Sequence, residues 1–196
     1  MSRAARHPAG RLGLVLPPGW TMIPLEDADA RGRAVRLLVS RAGLDDGQGA
    51  VMRRELHSQL SCAADRAFRS GASTLAICTT GPGGVPLPAS LVVTFIPGGT
   101  VPSEQEAWLQ EAGGRLDTAS VPAGRVVRRV ANRVTSLADG ELAGVTTVVV
   151  DYWLTREDGA GVVHLAASTP LVDHEAAMVG LFDAVIESAR WSSATS

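Results

Sequence analysis

The sequence predicts an α+β fold, an antiparallel β-sheet flanked by helices on both faces. Three observations lead there. The second half of the chain breaks into short β-branched runs punctuated by Pro, Gly and Asp-Gly, as a meander requires. Two segments, Met52–Phe68 and Met178–Ala189, repeat apolar residues at helical spacing. The composition, 45% hydrophobic against 19% charged over 196 residues, is what one packed domain needs.

The elements follow in order. Arg11–Leu16 reads as a short strand stopped by Pro17-Pro18-Gly19-Trp20, because Pro-Pro-Gly cannot continue a ladder and presets a bend. Thr21–Leu25 resumes an extended path. Asp27 and Asp29 then precede Ala30, Ala34, Leu37, Leu38 and Arg41 at helical spacing, with acidic residues at the positive end of the dipole. Val35, Leu37 and Val39 alternate like a strand, so this segment has two readings. Met52, Leu56, Leu60, Ala63, Ala64, Ala67 and Phe68 keep one apolar face, and Gly71 stands where a C-terminal cap belongs. Ser73–Thr79 and Leu87–Ile96 are neighbouring strands joined across Gly81-Pro82-Gly83-Gly84. Ser103-Glu-Gln-Glu106 is a capping box, with Trp108, Leu109, Ala112 and Leu116 as the buried stripe of a short helix.

From Thr118 the chain turns to β. Ala119–Val121, Arg125–Leu137, Val145–Thr155 and Val162–Ser168 form the expected meander. Arg125–Leu137 also fits a helix through Val126, Val127, Val130, Val134 and Leu137; its Val content and the preceding Pro-Ala-Gly favour a strand. A last helix opens near Asp173 and places Met178, Leu181, Phe182, Val185, Ile186 and Ala189 on one face, with Trp191 closing it. No repeat or linker interrupts the chain, so residues 11–191 are read as one domain, with residues 1–10 and 192–196 as flexible termini.

Charge and composition narrow the function classes. All 18 basic residues are Arg, which a GC-rich genome explains together with the single Asn132. A net charge of −2 disfavours nucleic-acid binding through an overall basic field. The longest apolar runs are about ten residues, too short for a membrane span. Met1–Leu16 lacks the continuous apolar stretch of a secretory signal, so the expected compartment is the cytoplasm. Cys62 and Cys78 are expected to be reduced, and no metal or cofactor is expected, since His7, His57, His164 and His174 form no ligand-spaced group.

The opening strand with Pro17-Pro-Gly-Trp20, the central sheet, and Ser168-Thr-Pro170 leading into Leu181-Phe-Asp-Ala-Val-Ile-Glu-Ser-Ala-Arg-Trp191 together resemble the PsbP-like fold. More closely, the layout resembles uncharacterised actinobacterial proteins. The resemblance covers about Arg11–Trp191 and implies an antiparallel sheet sandwiched by helices. It also implies a binding or accessory role, since members include photosystem assembly factors, a small-GTPase partner and bacterial lipoproteins. The chain departs from the lipoprotein members in its expected lack of a signal and lipidation cysteine. The resemblance carries over no catalytic residue.

The candidate chemistry is sparse. Thr80-Gly-Pro-Gly-Gly84 lacks the Lys and the helix of a phosphate cradle and reads as a loop. Cys78 lies in an apolar strand that should raise its pKa. His164 reads as a satisfied sheet histidine rather than a base. Asp151 interrupts an apolar strand beside Tyr152 and Trp153; it is read as an edge or surface position, the alternative being a buried carboxylate paired with an Arg. Trp20, Trp108, Trp153 and Trp191 read as packing anchors. Arg125, Arg129 and Arg133 would share one strand face and, with Arg128, form a basic patch. A solvated sheet edge accounts for such a patch, and so does a docking surface for an acidic partner. The leading expectation is a non-catalytic, chaperone-like accessory module acting through protein–protein contacts. The alternative is a small-molecule-binding or weakly hydrolytic protein with a cleft between sheet and helices. No nucleic-acid or membrane partner is expected.

Overall fold

The computed structural model describes residues 12–42, 49–81, 84–98, 114–134, 144–155 and 161–191. Nine strands and three helices of at least 13 residues lie within them. The strands are β1 (Leu12–Gly13), β2 (Trp20–Pro24), β3 (Ala72–Thr80), β4 (Pro86–Pro97), β5 (Arg115–Val121), β6 (Gly124–Val134), β7 (Thr146–Thr155), β8 (Gly161–Thr169) and β9 (Arg190–Trp191). The helices are α1 (Ala28–Arg41), α2 (Gly49–Arg69) and α3 (Glu175–Glu187). Seven strands make one sheet in the order β2-β3-β4-β8-β7-β6-β5, with every neighbouring pair antiparallel. Two meanders, β2–β4 and β5–β8, thus meet at the β4–β8 pair. β1 and β9 form a separate two-stranded ribbon.

Side chains alternate across the sheet, so each face needs its own cover. Val148, Val150, Tyr152 and Leu154 of β7 point to one face with Val163, Leu165 and Ala167 of β8, and there they pack with Met178, Phe182, Val185 and Ile186 of α3. Ile23 and Leu75 point to the other face and pack with Val35, Leu38 and Val39 of α1 and Leu60 and Ala64 of α2. Helices therefore lie on both faces, as expected. No described helix is long and apolar enough to cross a membrane.

Local chemistry sets the element boundaries. Asp27 Oδ1 accepts from the amides of Asp29 and Ala30 at 2.9 and 3.0 Å, which caps α1 and settles its helical reading. Gly71, at φ +85°, follows α2 in the left-handed conformation that ends helices. Pro122-Ala123 forms the two-residue turn between β5 and β6. Gly124 follows at φ +140°, and a Cβ there would lie 2.1 Å from the Thr155 carbonyl oxygen, so only glycine lets β6 approach β7 so closely.

Several expectations need correction. Arg125–Leu137 is strand through Val134, the favoured of its two readings, and 135–137 lie outside the described residues. Leu116 belongs to β5 rather than to a helical stripe, because its backbone pairs with Arg129. The first strand shrinks to Leu12–Gly13, held by pairing with β9, so Trp191 closes a ribbon and not the helix. Leu37 faces outward from α1, and Met52, Ala63 and Phe68 are exposed on α2; only Leu60 and Ala64 of that stripe are fully buried. The capping box at Ser103–Glu106 with its helix through Ala112, and the terminal segments 1–10 and 192–196, lie outside the described residues.

Candidate functional site

The antiparallel register brings Arg129, Asp151 and His164 together. Arg129 of β6 stands directly opposite Asp151 of β7, and Trp153, two positions along the same face, stands opposite His164 of β8. Arg129 Nη2 donates to Asp151 Oδ2 at 2.6 Å. His164 Nε2 lies 3.0 Å from Asp151 Oδ1. A carboxylate only accepts, so Nε2 carries the proton in this contact and Nδ1 is the other ring nitrogen's free position. The Trp153 ring stacks on the imidazole, with centroids 4.9 Å apart and planes 15° from parallel. Arg133 reaches back along the strand and places Nη2 3.9 Å from Asp151 Oδ2, too far to donate a hydrogen bond.

The cluster is graded from floor to rim. The side chains of Arg129 and Asp151 are 3% and 6% exposed, that of His164 27%, and that of Arg133 58%. Beside the floor, Val127 and Val162 are buried with Leu116 and Trp153 against them. Burial pushes the Asp151 carboxyl up, but the hydrogen bonds and charges of His164 and Arg129 outweigh it and hold Asp151 below the ordinary carboxylate value. The Arg129 Nε–H is buried and meets no acceptor among the described residues.

A consequence for acid stability follows. A carboxylate whose folded pKa lies below its unfolded value stabilises the fold above that unfolded value, about 3.9, and loses the contribution as pH falls through the folded pKa. Wild-type protein is therefore expected to exceed Asp151→Asn in stability at neutral pH, with the gap closing as pH drops below about 4. Denaturant melts of both proteins over this range check it; a gap independent of pH contradicts the ion-paired carboxylate.

A second polar network occupies the α3 face. Arg128, on the opposite side of β6 from Arg129, bridges Asp117 of β5 and Asp183 of α3. The Tyr152 hydroxyl donates to Asp183 Oδ1 at 2.8 Å. Burial and that hydrogen bond push Tyr152 far above its ordinary range, so it remains a neutral donor. The hydrogen bond with Asp117 raises Arg128 despite partial burial. Arg115 and Asn132 both reach Glu175 at the start of α3. These contacts staple the helix to the β5–β6 end of the sheet.

The four arginines singled out from the sequence therefore divide. Arg125 and Arg133 are exposed on one face of β6. Arg129 shares that face but is 2% exposed and bound to Asp151, so it is no solvated patch residue. Arg128 faces α3 and joins the other network. Asp151 is a buried carboxylate paired with an Arg rather than a surface position, because a carboxylate in an apolar strand is retained where a cation meets it. His164 is satisfied, as expected, though by a carboxylate. Cys78 is buried and its thiol pushed up by burial against a weaker opposing contact with the Thr80 carbonyl. Trp20 and Trp191 pack against the main cluster, with Trp191 Nε1 donating to the Ala123 carbonyl at 2.7 Å; Trp108 lies outside the described residues. Sequence reasoning missed Asp183. Its signal was an acid set between Phe182 and Val185 inside an otherwise apolar helical stripe.

Among the described residues no three His, Cys, Asp or Glu side chains converge as metal ligands would. Fold and site together define an α+β protein whose two sheet faces each carry an Arg–Asp network. No family model matches the chain, and no curated protein matches it. It is similar to a solved structure described as LpqN involved in cell envelope biogenesis of Mycobacterium tuberculosis, at 11% identity and a TM-score of 0.47, covering 92% of this chain and 83% of that one.

Proposed function

We propose that the chain is a non-catalytic interaction module that docks an acidic protein partner along the Arg125–Arg133 face of β6. The observation that carries this is the spacing of two exposed guanidinium groups. Arg125 and Arg133 lie on one face of one strand, eight positions apart, which is about 26 Å at the strand rise. Between them Arg129 is buried and taken up by Asp151, so the two exposed guanidinium groups at the ends are what the face presents to a partner. One small ligand does not span that distance, whereas a protein surface does. Arg forks fit carboxylates and steer an acidic partner into place.

The buried titratable groups agree with a binding role. Asp151 is held by two donors, the Tyr152 hydroxyl is tied to Asp183, and the Cys78 thiol is held protonated by burial. An accessory role also fits the PsbP-like layout of the sequence. The experiment is recovery of partners by the tagged protein from its native cell extract, wild type against Arg125→Glu combined with Arg133→Ala. The variant is expected to lose the partner while melting close to wild type, since exposed substitutions shift stability by about 0.5 kcal/mol or less. Recovery should also fall as salt rises. Recovery unchanged by the substitutions or by salt would sink the docking surface.

A second reading, small-molecule binding, is favoured at one point, the solvent-facing edge of the Asp151 cluster.

A further inference from the structure

We propose that Arg133, His164 and the Arg129–Asp151 floor form a binding site for a small oxyanion, a carboxylate or a phosphate. The site goes beyond the docking reading and uses only one residue, Arg133, in common with it.

Charge balance is the first argument. Among the described residues Asp151 is the one carboxylate in the cluster, yet two guanidinium groups and an imidazole converge on it. Arg129 bonds Asp151 directly and Arg133 adds a second guanidinium within 3.9 Å of the same carboxylate, so these three side chains sum to a net charge of +1. A second anion is what this arrangement lacks.

Unused donors are the second argument. The Arg129 Nε–H is buried without an acceptor, and a buried donor left unmade is costly enough that structures rarely retain it without a reason. Arg133 approaches Asp151 at 3.9 Å without bonding to it, and its guanidinium makes no hydrogen bond among the described residues. Its planar fork suits a two-oxygen group.

The third argument is that the rim is prearranged. Trp153 stacks on His164 and fixes the ring plane, while Asp151 fixes Nε2. The ring is thus held with Nδ1 in a set direction beside Arg133, where it donates to an oxyanion when the imidazole carries both protons, and both rim side chains reach solvent. An oxyanion entering from that side meets Arg133 and His164 first, with the neutral Arg129–Asp151 pair behind them.

The test is titration of isotopically labelled full-length protein with sodium phosphate and, separately, sodium acetate. Ionic strength is held constant with sodium chloride, and the His164 ring and Trp153 indole resonances are followed. Saturable shifts are expected with at least one of the two anions, and which one saturates identifies phosphate or carboxylate as the preferred group. Arg133→Gln and His164→Gln should each weaken that binding by roughly tenfold, the loss of one charge-assisted hydrogen bond. Shifts no larger than those in chloride, or affinities unchanged in both variants, overturn the site. If either variant fails to fold, the wild-type melting temperature decides: it should rise with phosphate or acetate over equal chloride, and no rise overturns the proposal. Arg125→Glu separates the two readings, because it strikes the docking face and leaves the cluster intact. Anion binding retained in Arg125→Glu with partner recovery lost supports both; anion binding lost there contradicts the site as drawn.

Discussion

Asp151→Ala is expected to destabilise the protein by about 3–5 kcal/mol, the cost of breaking a buried ion pair from one side. The reason lies in what remains. Arg129 is 2% exposed and donates from Nη2 to Asp151 alone, and its Nε already has no acceptor. Without the carboxylate a full positive charge stays buried among Val127, Val162 and Leu116 with no counterion. His164 loses its acceptor at the same time, which frees the ring that Trp153 stacks upon. For a chain of this size roughly 2–4 °C accompany each kcal/mol, so the melting temperature should drop by about 6–20 °C by calorimetry. The paired replacement Arg129→Met with Asp151→Leu removes both charges and should recover most of the loss, because buried ion pairs are often no better than apolar groups of similar volume. A loss under about 0.5 kcal/mol for Asp151→Ala would show that water reaches the pair.

The same cluster shows what a sequence can and cannot reveal. The alternation Val148, Val150, Tyr152, Leu154 marks one apolar face of β7 and so puts Asp151 and Trp153 on the other. That much is periodicity. Whether the second face is wet or dry depends on what packs over it, and no local pattern around Asp151 encodes that. Its partner Arg129 lies 22 positions away, and the two meet only because the β6–β7 ladder pairs Arg129 with Asp151 and not with a neighbour. A shift of one residue would turn Asp151 to the α3 face. The placement of Arg125, Arg129 and Arg133 on one face was legible once β6 was read as a strand. Their different burial was not, since it follows from tertiary cover. Helices behaved in the same way. α3 was readable because its apolar stripe is complete and nearly all of it is used. The stripe of α2 extends less far than its periodicity suggests: Leu56, Leu60, Ala64 and Ala67 join the core cluster, whereas Met52 and Phe68 toward the ends are exposed. Asp183 escaped notice because an acid beside an apolar stripe ordinarily faces water, whereas here Tyr152 and Arg128 meet it from the sheet.

Two phenylalanines put that contrast to a test. Phe182 is 2% exposed and belongs to the buried cluster in which α3 meets Val148, Val150 and Leu165 of the sheet. Phe182→Ala is expected to cost about 3–5 kcal/mol, because the transfer energy of the ring is lost and a cavity opens between two rigid layers. The neighbouring anchors limit how far α3 can collapse into that space: Asp183 is fixed by Tyr152 and Arg128, and the ribbon of β1 with β9 restrains the chain just beyond the helix. The cavity therefore persists, which places the cost toward the upper end of that range. Phe68 carries the same side chain on α2 but is 46% exposed, with the Arg31 guanidinium 5.0 Å above its ring. Phe68→Ala should cost about 1 kcal/mol or less, the worth of an exposed cation–π contact and partial burial. Denaturant midpoints of the two variants measure the difference directly, and amide exchange in Phe182→Ala should quicken in α3 before it does in β7 and β8. Equal losses at the two positions would mean that α3 does not close this face of the sheet, since only that packing distinguishes one ring from the other.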